Sequence, residues 1–181
     1  MNRAELIDAV AAGARPEYLF FWGHTPTPGH TVGRWVLSQW WPVEFVVDSV
    51  KYRSAEHFMM AEKARLFGDE EMRARVLDSE TPADAKKLGR AVRGFDEAVW
   101  RNHRYDIVVR AGIAKFGEHQ ELRDFLLATG DTVLVEAAPR DTVWGIGLGA
   151  ENPQATDPTR WRGENLLGFA LMDARTILAT S

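Results

Sequence analysis

The stretch SAEHFMMAEKARLFG, residues 54–68, decides the fold class. Ser54 is a residue type that caps a helix start, and Gly68 is one that ends it, because glycine enters the left-handed region without a Cβ clash. Between them Glu56, Met60, Lys63 and Phe67 recur at i, i+4, i+7 and i+11 and so share one helix face. That face mixes two ionisable groups with two apolar ones. Glu56 and Lys63 are separated by about 10 Å of helical rise, too far for a neighbouring-turn ion pair, so both can reach a ligand lying between them. Glu56 sits in the first turn, where the helix dipole favours the carboxylate. A lysine on a partly apolar face has its ammonium form disfavoured, which leaves a neutral, nucleophilic fraction. The plain alternative is a solvated face with incidental charges, and periodicity leaves the two open. His57, next to Glu56, projects about 100° away around the helix.

Working outward, the downstream segment is helical. Asp69 caps a helix over EEMRARVL, Thr81-Pro82 starts another, and Asp96 caps a long one ending at Gly117. Residues 120–128 form a further helix, closed by Gly130, and TVLVE at residues 132–136 reads as a buried strand. A last helix spans residues 165–178. Upstream, EYLFFWGH at residues 17–24 reads as a buried strand and TPTPGHTVG as an irregular loop. Residues 34–41 and 44–47 read as strands broken by Pro42, with Asp48-Ser49 turning the chain into residues 50–53 as a hairpin. The order gives an α+β class: a single compact domain, a small mixed or antiparallel sheet and a central block of helices. Residues 1–16 are expected as a peripheral helical extension, with residues 17–181 as the domain.

Composition narrows the function. The chain has 181 residues, long enough for one sizeable core. No apolar run approaches the roughly 20 residues that span a bilayer, and the first residues lack a signal-peptide pattern, so a cytoplasmic protein without membrane contact is expected. With no cysteine, disulfides, thiolate metal sites and a cysteine nucleophile are excluded. No histidine pair has metal-binding spacing, and neither a metal nor a cofactor is expected. A net charge of −4 argues against tight non-specific nucleic-acid binding. Of 22 basic residues only Lys51, Lys63, Lys86, Lys87 and Lys115 are lysines, and seven tryptophans supply flat surfaces for core or pocket.

Two further places can carry chemistry. The loop AAPRDTVWGIG, residues 137–147, follows a predicted strand, where functional groups are common. Asp141 offers a carboxylate, Trp144 a flat surface, and Gly145 and Gly147 a close backbone approach. An ordinary structural turn is the alternative. Trp100 lies on the long helix in line with His103, Ile107 and Ala111, which is compatible with a plain core tryptophan.

Taken in order, FFWGHT, LSQWWPVEF, YRSAEHFMMAEKARLFGD, PADAKKLGRAVRGFD, VWRNHRYDIV, LLATGDTVLVEAAPRDTVWGIG and WRGENLLGFALMDAR resemble the YbiA-like NADAR domain family. The resemblance covers almost the whole chain after residue 17. It implies an enzyme that hydrolyses a carbon–nitrogen bond between ribose and a pyrimidine or purine-like amine. Carried over by motif, it implies functional roles for Glu56, Lys63, Asp141 and Trp100; catalysis is expected of Glu56, Lys63 and Asp141, and substrate binding of Trp100, Trp144, Gly145, Gly23 and His24. One departure is LSQWWP, residues 37–42, where the usual pattern resembles LSNFYP. The expected substrate is a ribosylated aminopyrimidine of early riboflavin biosynthesis, with a metabolite damage-control role. ADP-ribosylated guanine is the alternative substrate, and a non-catalytic ADP-ribose or nucleotide-binding module the alternative of another class.

Overall fold

The computed structural model describes all residues, Met1–Ser181. The elements are those of an α+β protein, and they gather into two units. One is Gln39–His119, the helical unit; the other joins Met1–Ser38 to Gln120–Ser181, the strand unit. No helix is long and apolar enough to cross a membrane.

The helical unit opens with a hairpin. Its strands β2 (Phe45–Val47) and β3 (Val50–Tyr52) are antiparallel, Phe45 opposite Tyr52 and Val47 opposite Val50. The expected turn residues Asp48 and Ser49 have φ 50° and 64°, the left-handed pair that matches the twist of a two-residue hairpin. Next comes α2 (Ala55–Leu66), with Ser54 at its N-cap accepting from the backbone N–H of His57, and Gly68 just past its end at φ +69°. The predicted caps Asp69, Thr81 and Asp96 each accept a backbone N–H at the starts of α3 (Glu70–Asp78), α4 (Pro82–Gly89) and α5 (Glu97–Glu118). Each such cap is worth about 1 kcal/mol over alanine.

Helix α2 is the centre of this unit, and it is buried nearly all round. Ala55, Ala61 and Ala64 are small enough for neighbours to close in, and Gly89 of α4 comes so near that a Cβ there would overlap the Met60 sulfur. Phe58 is fully buried in an aromatic cluster with Phe45 and Tyr52, the Tyr52 ring edge-on at 4.9 Å. Burying a side chain of this size contributes roughly 1.5–3 kcal/mol.

In the strand unit, β1 (Tyr18–Phe21) pairs in parallel with β4 (Val133–Glu136), from Tyr18 opposite Val133 to Phe21 opposite Glu136. The strands of the chain thus form two separate two-stranded ladders, one parallel and one antiparallel. Val133, Leu134 and Val135 are all buried, the run of apolar residues expected of a strand covered on both faces. Helices α6 (Gln120–Ala128) and α7 (Leu166–Ala179) belong to this unit. So does α1 (Arg3–Ala11), which is tied down: Leu6 is buried, and Arg3 donates to the carbonyls of Pro158 and Trp161 at 3.0 and 2.7 Å.

Residues 34–41 do not form the expected strand. Arg34–Leu37 is a 3-10 helix, and Trp35, Val36 and Leu37 are buried in succession rather than alternately. Gly33 explains the turn: a Cβ there would overlap the Trp35 ring, which folds back over it.

Candidate functional site

The charged face predicted on α2 is not solvated. Glu56 is only 2% exposed, and its backbone N–H, one of the donors a helix start leaves without an intrahelical partner, donates to the carbonyl of Gln39 at 3.0 Å. Met60 is buried, while Lys63 and Phe67 are half-buried. Burial therefore excludes the solvated face.

Lys63 has ring faces for neighbours. Its Nζ lies 4.1 Å from the centre of the Phe95 ring and 5.6 Å from that of Trp100. Burial holds its pKa below the usual lysine value, with Glu97 pulling it up and Arg90 pushing it down. The geometry supplies an amine that loses its proton more readily than a surface lysine. Trp100, 8% exposed, is both a core residue and a wall for this amine.

His57 is accounted for structurally. Its Nε2–H donates to the Ser79 carbonyl at 3.1 Å, so Nδ1 accepts from the Ser54 hydroxyl at 2.7 Å. Burial pushes its pKa down, and it is a neutral tether between the start of α2 and the end of α3.

The other implied residues lie in the strand unit. Asp141 follows β4 in the predicted loop, and its Oδ1 accepts the backbone N–H groups of Val143, Trp144 and Gly145 at 2.9, 2.7 and 3.5 Å. The carbonyls of the same three residues accept from the start of α7: Leu166 to Val143, Leu167 to Trp144 and Asn165 to Gly145. This explains why α7 lacks a side-chain cap. Residues 143–145 are thus bonded on both edges, a stiff platform carrying the half-buried Trp144. Gly145 is required by a close approach, since a Cβ would lie 2.7 Å from the Glu136 carbonyl oxygen. That approach is to the chain's own backbone.

Gly23 and His24, just past β1, are exposed, with Gly23 at φ +75°. Beside them, at the carboxyl ends of the parallel strands, lies an open cleft of about 240 Å³. It is lined by Trp22, Arg34, Pro139 and Glu151 among others, and Trp22 is 67% exposed. The structure thus brings Lys63 and Trp100 together in one unit, sets Glu56 at the head of the same helix, and carries Asp141, Trp144, Gly145, Gly23 and His24 on the two loops that leave β1 and β4 in the other.

Sequence reasoning missed three residues. Phe95 stands over the Lys63 amine. Asp69, read only as a cap, also accepts from Arg93 through the backbone N–H, Nε and Nη2 at 2.9, 3.2 and 2.6 Å, and the guanidinium holds its carboxyl well below the usual carboxylate range. Asn165, buried, donates to the Leu134 carbonyl and accepts from the Glu136 N–H, each at 2.9 Å, in place of a neighbouring strand along β4. The available signal was the RGFD and GEN runs, whose Gly and Asn mark sharp turns.

The NADAR domain profile matches residues 20–179. N-glycosidase R617 of Acanthamoeba polyphaga mimivirus is 38% identical over 164 residues, 88% of this chain and 95% of that one. N-glycosidase YbiA of Escherichia coli (strain K12) is 32% identical over 139 residues, 77% of each chain. The riboflavin biosynthesis protein PYRR, chloroplastic, of Zea mays is 34% identical over 143 residues, 74% of this chain but 21% of its own length. The NMR structure of E. coli YbiA superposes with a TM-score of 0.72 at 27% identity, covering 92% of this chain and 88% of that one. The chain belongs to the NADAR domain family.

Proposed function

We propose that this protein is an N-glycosidase that hydrolyses the C–N bond between ribose phosphate and an aminopyrimidine in early riboflavin biosynthesis intermediates, limiting damage by these reactive compounds. The observation that carries the reading is the Lys63 amine, half-buried against Phe95 and Trp100 with a lowered pKa. N-glycosidases among its relatives support the reaction, and the name of the maize relative supports the substrate.

A ribosylamine opens at its anomeric carbon to a protonated imine, its ring oxygen taking a proton from a general acid. The neutral Lys63 nitrogen adds to that carbon, forming an N–C bond as the imine π electrons move to the substrate nitrogen. A proton passes from the lysine nitrogen to the substrate nitrogen, whose bond to the anomeric carbon then breaks. The free aminopyrimidine leaves with that electron pair, and a lysine iminium remains. Water adds to the iminium carbon, a proton returns to the lysine nitrogen, and the sugar departs as its aldehyde. One difficult substitution becomes two easier ones. Glu56 or Asp141 carries the protons and offsets positive charge. Trp100 and Trp144 hold the base or ribose.

Incubating the purified protein with a phosphoribosylaminopyrimidine and with ADP-ribosylated guanine, and following free base by chromatography, tests the substrate. Release from the aminopyrimidine compound is expected. Release from ADP-ribosylated guanine alone overturns the substrate and keeps the chemistry. Tight binding measured by calorimetry without turnover of either overturns both.

A further inference from the structure

Phe95 is exposed to 42%, a large apolar ring where solvent would favour a polar residue. The chain nevertheless fixes it from both sides. Two residues before it, Arg93 is locked to the buried Asp69 by three hydrogen bonds. Gly94 turns the chain at φ +69°, a conformation that costs any residue with a Cβ. Immediately after it, Asp96 caps α5 by accepting from Val99 at 2.9 Å. The Phe67 ring meets it edge-on, centres 5.3 Å apart. So much fixing delivers one ring face to one atom, the Lys63 nitrogen at 4.1 Å.

We propose that Phe95, backed by Trp100, is a positioning residue that stabilises the positive charge on the Lys63 nitrogen when that nitrogen is joined to the sugar as an iminium. This rests on the covalent role of Lys63 above. A carboxylate at this distance would keep the amine protonated and unreactive, whereas an aromatic face attracts a cation without taking part in proton transfer. The iminium carries its charge on the same nitrogen that the structure sets over the ring. The neutral amine gains little from the ring, so the attraction favours the charged intermediate over the amine that attacks. Attraction of this kind corresponds to roughly a 2- to 30-fold effect on rate.

The test replaces Phe95 in the full-length protein by mono-, di- and trifluorophenylalanine, which keep the ring's shape and drain its face of negative charge. With the substrate that the release assay shows to be turned over, kcat and the rate of borohydride-trapped adduct on Lys63 are expected to fall stepwise, about 10-fold across the series. Phe95→Leu falls at the low end and Phe95→Trp matches or exceeds wild type. KM is expected to stay or drop, because an electron-poor ring stacks a heterocycle at least as well. A flat kcat series with a Lys63 adduct in wild type overturns the proposal and leaves the covalent lysine standing. Absence of any adduct in active wild-type protein overturns the covalent lysine, and this inference with it.

Discussion

The Lys63 face of α2 and the loop of residues 137–147 carry the same kind of promise in the sequence, charged and aromatic side chains at motif positions, and the structure builds them on opposite terms. Around Lys63 the α2 backbone is hydrogen-bonded within the helix, so the lysine side chain is left to face rings and to have its proton loosened by burial. In the loop the side chain serves the backbone: Oδ1 of Asp141 gathers three N–H groups that no regular structure satisfies. A carboxylate or amine type names a chemical capacity, and the local backbone decides how much of it is already committed.

The largest effect is expected at Lys63. Lys63→Ala should cut turnover by roughly 10³-fold or more, since in the proposed mechanism it removes the group that forms the covalent bond. The protein should stay folded, because Lys63 is only half-buried and is no cap. Urea unfolding alongside the kinetics checks this. Near-normal turnover with no borohydride adduct would mean direct attack by water activated by a carboxylate. Glu56→Gln would then become the variant expected to abolish activity.

Asp141 tests the other side of the comparison. Asp141→Ala strips the acceptor from residues 143–145 and should destabilise the protein by about 1–3 kcal/mol. Asp141→Asn keeps an oxygen acceptor and should recover most of that loss in thermal unfolding. The activity of the stable Asn variant then reads the proton role alone. A loss on the order of 10²-fold gives the carboxylate a share in proton transfer, and near-normal rates leave it as the anchor of the platform under Trp144.

This contrast also says what was legible beforehand. Ser54, Asp69, Thr81 and Asp96 announce helix starts through local chemistry, and the structure uses each as a cap. Local signals failed where the deciding partner is remote. The parallel pairing of Tyr18–Phe21 with Val133–Glu136 leaves no trace in either segment beyond apolarity. Residues 34–37 read as a strand because Trp, Val and Leu favour one, but Gly33 beneath the Trp35 ring winds them into a turn. Buried charge was illegible for the same reason. Glu62 in the run AEKAR looks solvent-facing, yet Arg65 and Arg110 hold it at 2.9 and 3.0 Å while it is 4% exposed.

Lys115 extends the α2 side of the comparison to a lysine with almost no access to water, 1% exposed on α5, its pKa pushed down to about 7 by burial. Its folded pKa lies below the unfolded value. Between about 7 and the ordinary lysine value of 10.5 the unfolded chain therefore holds a proton that the folded chain lacks, and stability rises with pH. One such group contributes at most about 1.4 kcal/mol per pH unit. Urea unfolding from pH 7 to 9 should show this rise, and Lys115→Met should flatten it. An unchanged slope in the variant would assign the pH dependence to other groups.

The smallest effect is the most specific to the Lys63 face. Arg90 ends α4 and Glu97 begins α5, and the two act on the Lys63 ammonium in opposite directions. In the proposed mechanism only the neutral amine attacks, so the rate of adduct formation should climb with pH along a limb lying below the ordinary lysine value of 10.5. Arg90→Gln removes a positive charge that disfavours the ammonium, which raises the lysine pKa and moves the limb to higher pH. Glu97→Gln removes a negative charge that favours it and moves the limb to lower pH. Both residues are exposed, so both displacements should shrink as salt is raised toward 1 M, where charges are screened within about 3 Å. Single-turnover trapping at a series of pH values reads the limb directly. Opposite displacements place the titrating group beside these two charges, where the Lys63 amine lies; the absence of any displacement would place the titration elsewhere and remove the functional contrast between the two regions.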